Sequence, residues 1–552
     1  MLHPSHIKTM STRRRLVALV AATLLLGACA PVARPTESPT TTAPATDPAT
    51  DPAAAKTAAP DPTTGGIVPG SEVVVAVTQE PDFLDPYLAE AAGTKEILYN
   101  LFDGLVRLEP DGSLSPALAV SWEMSDDAMA YSFVIREGVK FHNGAAMTLD
   151  DVVYSLERAA GLGAEDATAL VPQLGAIASV TADAAKYSVT TTLKAPDPDL
   201  LAFFTTAILP RGYEKQAEHP IGTGPYRFVS YETQQRILLR ANPDYFVPGR
   251  PSIESVEFRI VPNADSAMVD LEAGRIDVFP YLTPDSAKQV EDRFQLIESR
   301  SNMVHLLALN NARPPLDQRD VREALRLAID KPGILDLVTG GYGSPITSGM
   351  SPAMGAAWNA DIRDGDAAPD PAGDPDRARE LLAAAGYPDG FELTISVPSN
   401  YVIHVRTAEV IAEQLREVGI IAKIEPVDWA TWLSRIYSDR DFQATVIALT
   451  FVYSPVDVLD RYRSDAANNF INFSSADFDR RFADLGTTLD AAGRQRIWHD
   501  LQQILFDEAA SVFIQDPALL TAVARDLGGY TVYPQYVQDI ASLHPVGTDG
   551  DS

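Results

Sequence analysis

The sequence is poor in cysteine, since Cys29 is the only cysteine among its 552 residues. A lone cysteine cannot form an internal disulfide, so the fold depends on none. Positive charge is also scarce, because 44 lysines and arginines stand against 75 aspartates and glutamates. The formal net charge of −31 argues against a nucleic-acid partner, since the phosphate backbone repels such a surface.

Catalytic signatures are missing as well. The eight histidines form no HExxH pair of zinc ligands, and no GxSxG nucleophile elbow is present. The segment GTGPYR at 222–227 lacks the third glycine of the dinucleotide fingerprint, and no GK[ST] phosphate loop occurs. These absences favour binding over catalysis, although a carboxylate pair of the glycosidase type stays open.

Only one segment has the apolar character of an export signal. Arg13–Arg15 precede the uncharged run Leu16–Leu26, and this order matches the basic and apolar regions of a signal peptide. About 11 apolar residues are too few for a membrane-spanning helix, which needs ~20. Residues 26–29, LGAC, resemble the lipobox of bacterial lipoproteins, in which the cysteine thiol is lipidated after cleavage. The alternative is an ordinary secretory signal with a leftover cysteine.

The next segment has the composition of a tether. Residues 31–70 are mostly proline, threonine, alanine and aspartate, which offer too little apolar surface to offset chain entropy. We therefore expect a signal peptide at 1–28 and a disordered tether at 29–70. Loss of the four positive charges of residues 1–28 would leave a mature net charge of about −35.

Local patterns in the body predict an α/β architecture in more than one domain. The run EVVVAV at 72–77 predicts a buried strand, and the alternation in 131–141 predicts a hairpin strand. Thr148 with Asp151 predicts a capped helix over 148–159. A strand at 391–398, an apolar helical stripe from Ala408 to Leu415, a cap at Gly419 and a strand at 420–427 predict a βαβ unit.

Five segments of the body together resemble one family, the extracytoplasmic solute-binding proteins of peptide-type (family 5) ABC importers. The segment YSFVIREGVKFHNGAAMTLDDVVYSLER at 131–158 is close to the family signature, with Asn143 where aspartate is commoner. The other four segments match in order and spacing and lie at 79–123, 222–232, 316–345 and 376–397.

The resemblance implies a two-lobed fold of the periplasmic-binding-protein type (class II), with an extra domain inserted in lobe one. Lobe one would comprise 71–103, 218–304 and 520–546, the inserted domain 104–217, and lobe two 305–519. In such proteins the lobes close around a ligand by a hinge motion, and the closed form docks on the permease.

The resemblance also implies a set of ligand-binding residues. Glu90 matches an acidic residue that faces the cleft, the strand 305–310 matches the hinge-side wall, and Trp429 matches a pocket position. Alternatives stay open: a solvated carboxylate for Glu90, core packing for Trp429, and a hydrogen-bonded wall position for His305. The predicted ligand-binding residues are Glu90, His305, Asn310, Trp429, Thr450, Phe451 and Tyr453.

Charged anchors for a peptide are missing from the predicted lobe two. In peptide-binding members an aspartate there pairs with the α-ammonium of the peptide, and here the matching position is Phe451 or Val452. An upstream arginine of one branch falls on Thr445 or Val446. A buried ammonium group without a partner is costly. We therefore expect that the solute has no free α-ammonium group requiring a carboxylate partner on lobe two.

The sequence therefore predicts the substrate-binding component of an ABC transporter. It would capture a peptide-like solute and deliver it to permease and ATPase subunits, without being an enzyme. We expect a monomer outside the cytoplasm, held at the cell membrane by its lipid, with no cofactor, no metal and no nucleic-acid partner. A secreted hydrolase or an oligosaccharide-binding protein on the same scaffold are the alternatives, and scattered histidines disfavour the nickel-binding branch.

The lipobox generates a prediction for Cys29→Ser. Without the thiol no lipid can be attached, so we expect the variant to be released into the medium or to stay uncleaved. Membrane fractionation after a high-salt wash measures this, with Thr41→Ser in the predicted tether as the control. Equal membrane retention of Cys29→Ser and the wild type would refute lipidation.

Overall fold

The computed structural model describes residues 66–546 apart from a few short gaps, and of Thr450 it describes only the backbone; the gaps are 164–167, 366, 451–453 and 534–536. The predicted signal peptide, Cys29 and nearly all of the predicted tether lie outside the described residues. Phe451, Val452 and Tyr453 lie outside them as well.

Helices and strands alternate along the described chain. The helices are α1 (Ala92–Leu98), α2 (Leu149–Ala160), α3 (Ala264–Glu272), α4 (Pro284–Val290), α5 (Arg319–Leu327), α6 (Lys331–Thr339), α7 (Pro375–Ala384), α8 (Val402–Glu417), α9 (Trp429–Thr431), α10 (Pro455–Asp460), α11 (Ala476–Ala483) and α12 (Ala491–Asp507). The strands are β1 (Val68–Val77), β2 (Val106–Leu108), β3 (Leu114–Pro116), β4 (Ala119–Met124), β5 (Ala130–Ile135), β6 (Ile177–Asp183), β7 (Ser188–Leu193), β8 (Tyr226–Glu232), β9 (Arg236–Ala241), β10 (Ile253–Ile260), β11 (Val278–Leu282), β12 (Phe294–Arg300), β13 (Met303–Leu309), β14 (Gly343–Pro345), β15 (Glu392–Pro398), β16 (Ile421–Val427), β17 (Ala444–Thr450), β18 (Ser511–Ala524), β19 (Leu527–Gly528) and β20 (His544–Pro545).

In the described part of the chain, twelve strands join into one long mixed sheet. Its main path runs β16-β15-β17-β13-β18-β11-β1-β10-β9-β8, and β12 and β14 also pair with β18. The pairs β1–β10 and β15–β16 are parallel, whereas β13–β17 and β13–β18 are antiparallel. Every residue of β13 is buried, as expected for a strand in the middle of a sheet covered on both faces.

Strand β18 belongs to both halves of this sheet. Its first residues pair with β13, where His305 lies opposite Gln515. Its last residues pair with β11 and β12, where Arg300 lies opposite Ala518. The strands on the two sides define two lobes: lobe one contains β1 and β8–β12, and lobe two contains β13–β17.

A buried carboxyl group marks the point where the chain crosses between the lobes. Asp516 in β18 is 2% exposed, and its Oδ1 accepts hydrogen bonds from the Ser301 hydroxyl at 2.7 Å and the Met303 backbone N–H at 3.2 Å. The Ser351 hydroxyl donates to Oδ2. Burial raises the pKa of Asp516. These bonds tie the connection between β12 and β13 to β18.

The two lobes have separate apolar cores. Lobe one shares its main core with the segment between β1 and β8, so that Val75 of β1 and Phe133 of β5 belong to one cluster. In lobe two, neighbouring residues of β13 enter different cores: Leu306 packs on one face and Leu307 on the other. This alternation follows from the period of two along a strand.

The segment inserted between β1 and β8 forms its own small sheet. Its strand order is β4-β5-β7-β6, and α2 packs against β6. Through the shared core this segment is attached to lobe one, and it also touches lobe two, because the Asp199 carboxylate contacts the Arg494 guanidinium of α12. The inserted segment therefore contacts both lobes.

Three local predictions are confirmed and one is corrected. The buried strand predicted at 72–77 is the second part of β1. The Thr148 backbone N–H donates to Asp151 Oδ2 at 2.7 Å at the start of α2, and β15, α8 and β16 form a parallel βαβ unit in which Gly419 has a φ of +88° just after the helix. The strand predicted over 131–141 ends at Ile135 instead. Gly138, with a φ of +77°, turns the chain out of the extended conformation.

None of the helices in the described ranges is both long and apolar enough to cross a membrane.

The close approach at Gly224 generates a stability prediction. A Cβ at this position would lie 2.4 Å from the Leu101 carbonyl carbon. The Gly224 backbone N–H also donates to the Leu101 carbonyl oxygen at 3.0 Å, so the two backbones cannot separate without losing this bond. Gly224→Ala should therefore lower the free energy of unfolding by at least ~2 kcal/mol. Gly93→Ala is the matched control, because nothing lies within 4 Å of its Cβ and alanine favours a helix. Thermal unfolding measures both variants, and equal stability of the two would contradict the predicted clash.

Candidate functional site

A cavity of about 930 Å³ opens in lobe one beside the crossing between the lobes. Its size falls within the ~300–1,000 Å³ usual for small-molecule sites. Helix α1, the inserted segment, strand β11, the crossing and the C-terminal region all contribute, through residues within 86–117, 168–173, 202–207, 280–281, 299–301, 519–521, 530–533 and 537–538.

Glu96 is the most deeply buried acid of this cavity. It lines the cavity from α1 although only 2% of its surface is exposed. The Tyr281 hydroxyl donates to its Oε1, and the Gln538 side chain forms a second hydrogen bond. Because burial removes water from this carboxyl and both partners are neutral, its pKa is raised to about 7.

Tyrosine side chains surround this acid. Tyr99, Tyr281, Tyr530 and Tyr533 all line the cavity, and the Tyr99 and Tyr533 rings meet at 5.9 Å with a tilt of 54°. The Tyr530 hydroxyl donates to Gln538 Oε1 at 2.8 Å, which leaves the amide of Gln538 to donate. Tyr281 has a φ of +69°, a left-handed conformation that is rare for an aromatic residue and is typical of functional sites.

Basic side chains lie at other parts of the same cavity. The Arg107 Nη2 donates to Asp103 Oδ1 at 2.8 Å, so its charge is already compensated. Lys95 and Arg300 also line the cavity and are exposed. The Arg300 Nη1 makes one long contact, at 3.4 Å, to the Pro352 carbonyl oxygen. The cavity can therefore offer positive charge at its edge and negative charge at its floor.

The sequence matches the model of a known protein family. The model for bacterial extracellular solute-binding proteins, family 5, matches residues 113–470. The chain belongs to this family.

Relatives of this family 5 solute-binding protein cover most of its length. The glutathione-binding protein GsiB of Escherichia coli is 27% identical over 488 residues, which span 84% of this chain and 92% of GsiB. The structure of HbpA2 from Haemophilus parasuis has a TM-score of 0.77 at 25% identity and covers 86% of this chain and 100% of its own. CtaP, an ABC transporter substrate-binding protein of Listeria monocytogenes, has a TM-score of 0.75 at 25% identity. The match covers 86% of this chain and 99% of CtaP.

These likenesses confirm the predicted α/β fold with two lobes and the solute-binding function. This family 5 protein is the extracytoplasmic binding component of an ABC importer, and the proteins to which it is similar are solute-binding proteins, which are not enzymes. The relatives give no support to the secreted hydrolase.

Glu90 is the predicted ligand-binding residue that the structure places in the cavity. Its side chain is exposed at the cavity wall, and its backbone N–H donates to Asp82 Oδ2 at 2.8 Å. An exposed carboxylate keeps its water, so an ion pair formed there contributes only ~0–1 kcal/mol.

His305 lies in the protein interior and does not line this cavity. Its Nε2 lies 3.1 Å from Nδ1 of His404, and its Nδ1 lies 3.2 Å from Nε2 of Gln515. Burial lowers the pKa of His305 to about 3, so the ring is neutral at pH 7. Its described contacts are those of a hydrogen-bonded strand residue, and contact with a solute stays a prediction.

Asn310 and Trp429 also lie away from the cavity. The Asn310 amide donates to the carbonyl oxygens of Arg440 at 3.0 Å and Phe442 at 2.9 Å. Trp429 is half-buried and stacks on Trp432, with the ring centres 5.1 Å apart and 2° between planes. Their roles in binding stay predictions. The Thr450 side chain, Phe451 and Tyr453 lie outside the described residues.

Glu96 and the tyrosines around it were not among the ligand-binding residues predicted from the sequence. One weak signal was present in α1, since Ala92, Gly93, Tyr99 and Asn100 occupy the positions three and four residues from Glu96 and none is basic. The neighbouring residues Ile97 and Leu98 of α1 are buried. A carboxyl group on this part of the helix therefore needs a hydrogen-bond partner from another element. That partner, Tyr281, comes from a distant strand that no local pattern connects with α1.

The raised pKa of Glu96 generates a prediction of pH-dependent stability. Between about pH 4.5 and 7 the unfolded chain ionises this group while the folded chain keeps its proton, so folding becomes less favourable as pH rises, by up to about 3 kcal/mol. Glu96→Gln removes this penalty. The melting temperature of Glu96→Gln minus that of the wild type should therefore be higher at pH 8.5 than at pH 5.

The control for this prediction is Glu90→Gln, which removes one exposed charge from the same cavity. Its melting temperature relative to the wild type should be nearly the same at both pH values. A Glu96→Gln difference that does not change with pH would show that the carboxyl is not held protonated.

Proposed function

We propose that the cavity of lobe one receives a peptide-like solute, which the two lobes then enclose for delivery to a permease and its ATPase. The supporting observation is the position of the cavity, because residues 299–301 and 519–521 line it and also join the lobes. Rotation of lobe two about this connection would change access to the cavity, as in other hinge-closing proteins.

The chemistry of the walls supports a peptide-like solute. Phe102, Phe203 and Leu170 supply apolar surface, while Glu96 and Arg300 supply opposite charges. Apolar walls with a few polar anchors suit a molecule that has side chains and charged ends. The similarity to a glutathione-binding protein points to the same class of solute.

The remaining features of the proposal come from the sequence. The protein acts as a monomer, tethered to the outer face of the membrane by a lipid on Cys29. Its lobes are divided at the predicted boundaries, with lobe two at 305–519 and the inserted domain at 104–217. Trp429 and the stretch 450–453 face the solute from lobe two.

Native mass spectrometry of the purified protein tests the proposal. We expect a co-purified solute of peptide-like mass, released unchanged on denaturation. Adding this solute to the stripped protein should reduce the radius of gyration in small-angle scattering, because closure brings the lobes together. Conversion of the solute into products would support the hydrolase instead, and a constant radius of gyration at saturation would count against closure.

A matched pair of variants locates the site. Leu88 lines the cavity and is 40% exposed, whereas Leu337 on α6 is 71% exposed and does not line it. Leu88→Asp should weaken binding of the co-purified solute about tenfold, since an apolar contact of ~1.5 kcal/mol is lost, while Leu337→Asp should leave it unchanged. Calorimetric titration measures both, and equal affinities would place the solute elsewhere.

A further inference from the structure

The carboxyl group of Glu96 differs from the other buried carboxyl groups of the described chain. Buried carboxylates are normally paired with a cation or with several hydrogen-bond donors. Four acids that are at most 6% exposed each contact an arginine: Asp85, Asp103, Glu257 and Asp539. Glu96 is more deeply buried than these four, yet its described partners are the neutral side chains of Tyr281 and Gln538.

Two other buried acids also lack a cationic partner, but each has a structural task. Asp151 accepts the Thr148 backbone N–H and caps α2. Asp516 accepts the Met303 backbone N–H at the crossing between the lobes. Neither of them lines the cavity, whereas Glu96 does. Glu96 is therefore a buried acid that faces a ligand-sized space and has no charge to balance it among the described residues.

The groups around Glu96 are suited to a cation. The rings of Tyr99, Tyr281, Tyr530 and Tyr533 line the same space, and aromatic faces attract ammonium groups through their quadrupoles. Tyr530 fixes the Gln538 amide by a hydrogen bond of 2.8 Å, and Tyr281 holds the other side of the carboxyl. The carboxyl is thus oriented before any ligand arrives, which reduces the entropy lost on binding.

We propose that Glu96 is the anchor for a primary ammonium group of the solute, enclosed by the surrounding tyrosines. This deepens the proposed function, on which it rests, by assigning the cationic end of the solute to lobe one. The lobe-two position that matches the upstream arginine is uncharged: the Thr445 hydroxyl accepts from the Trp432 indole at 3.0 Å, and Val446 is fully buried. With Glu96 as its anchor, the ammonium group needs no carboxylate from lobe two.

Glu90 is the obvious competitor for this role, and its surroundings disfavour it. It lines the same cavity, but it is exposed and hydrated. An ion pair formed at such a position adds little to affinity, whereas a pair formed with a desolvated and oriented carboxylate discriminates strongly between charged and neutral ligands. The two glutamates thus form a natural test pair, since each substitution replaces one carboxyl group of the same cavity with an amide.

The test uses two probes, a pool of tripeptides with free amines and the same pool after acetylation of every amine. Calorimetric titration is carried out with the wild type, Glu96→Gln and Glu90→Gln. We expect the wild type to bind the free-amine pool and to bind the acetylated pool at least about 30-fold more weakly. The affinity of Glu96→Gln for the free-amine pool should be lower than that of the wild type by the same factor. The affinity of Glu90→Gln for this pool should stay within about threefold of the wild type.

Each result has a distinct meaning. If Glu96→Gln binds the free-amine pool as tightly as the wild type, or if acetylation changes nothing, the inference is overturned while a peptide-like solute stands. If neither pool binds to any of the three proteins, the peptide-like solute is wrong and the inference falls with it. Melting curves without ligand show whether Glu96→Gln is folded, and Glu96→Asp, which keeps the charge, should retain more affinity for the free-amine pool than Glu96→Gln.

Discussion

The main-chain hydrogen bonds of strand β18 are the constraint on which the rest of this structure depends. One continuous strand completes the sheet of lobe two with its first residues and that of lobe one with its last. A strand cannot leave its ladder without exposing buried backbone groups, so each half of β18 stays with its own lobe. A change in the angle between the lobes that keeps both ladders intact would therefore have to occur at the crossing, near Asp516 and Ser301. The cavity borders this crossing, so the proposed closure of the lobes would change access to it.

The charges of the cavity are arranged in a way that stability alone does not explain. A buried acid without a cation lowers the stability of the folded protein, and most buried acids of lobe one avoid this by contacting arginines, as Asp103 does with Arg107. Glu96 retains the penalty while lining an accessible space. A binding protein gains from such an arrangement, because a cationic ligand stabilises the ionised form of a carboxyl group that burial otherwise keeps protonated.

Features encoded over short distances were predictable from the sequence, and features built from distant segments were not. The capping of α2 at Thr148 and the βαβ unit of β15, α8 and β16 follow from spacing within some 40 residues, and both are confirmed. The strand predicted over 131–141 was too long because one glycine turn at Gly138 outweighed the apolar alternation. The contact between Glu96 and Tyr281 joins α1 to β11, and the interior position of His305 depends on His404 from α8. No local sequence pattern predicts such contacts between distant segments.

Strand β18 follows all the strands with which it pairs, and this has a consequence for the order in which the protein is made. Neither lobe can complete its sheet until residues 511–524 have left the ribosome, because β11, β12 and β13 all pair with this strand. Pairing over such long sequence separations is intrinsically slow. The long sheet therefore stays incomplete until β18 has been made, and this delay suits a protein that works outside the cytoplasm.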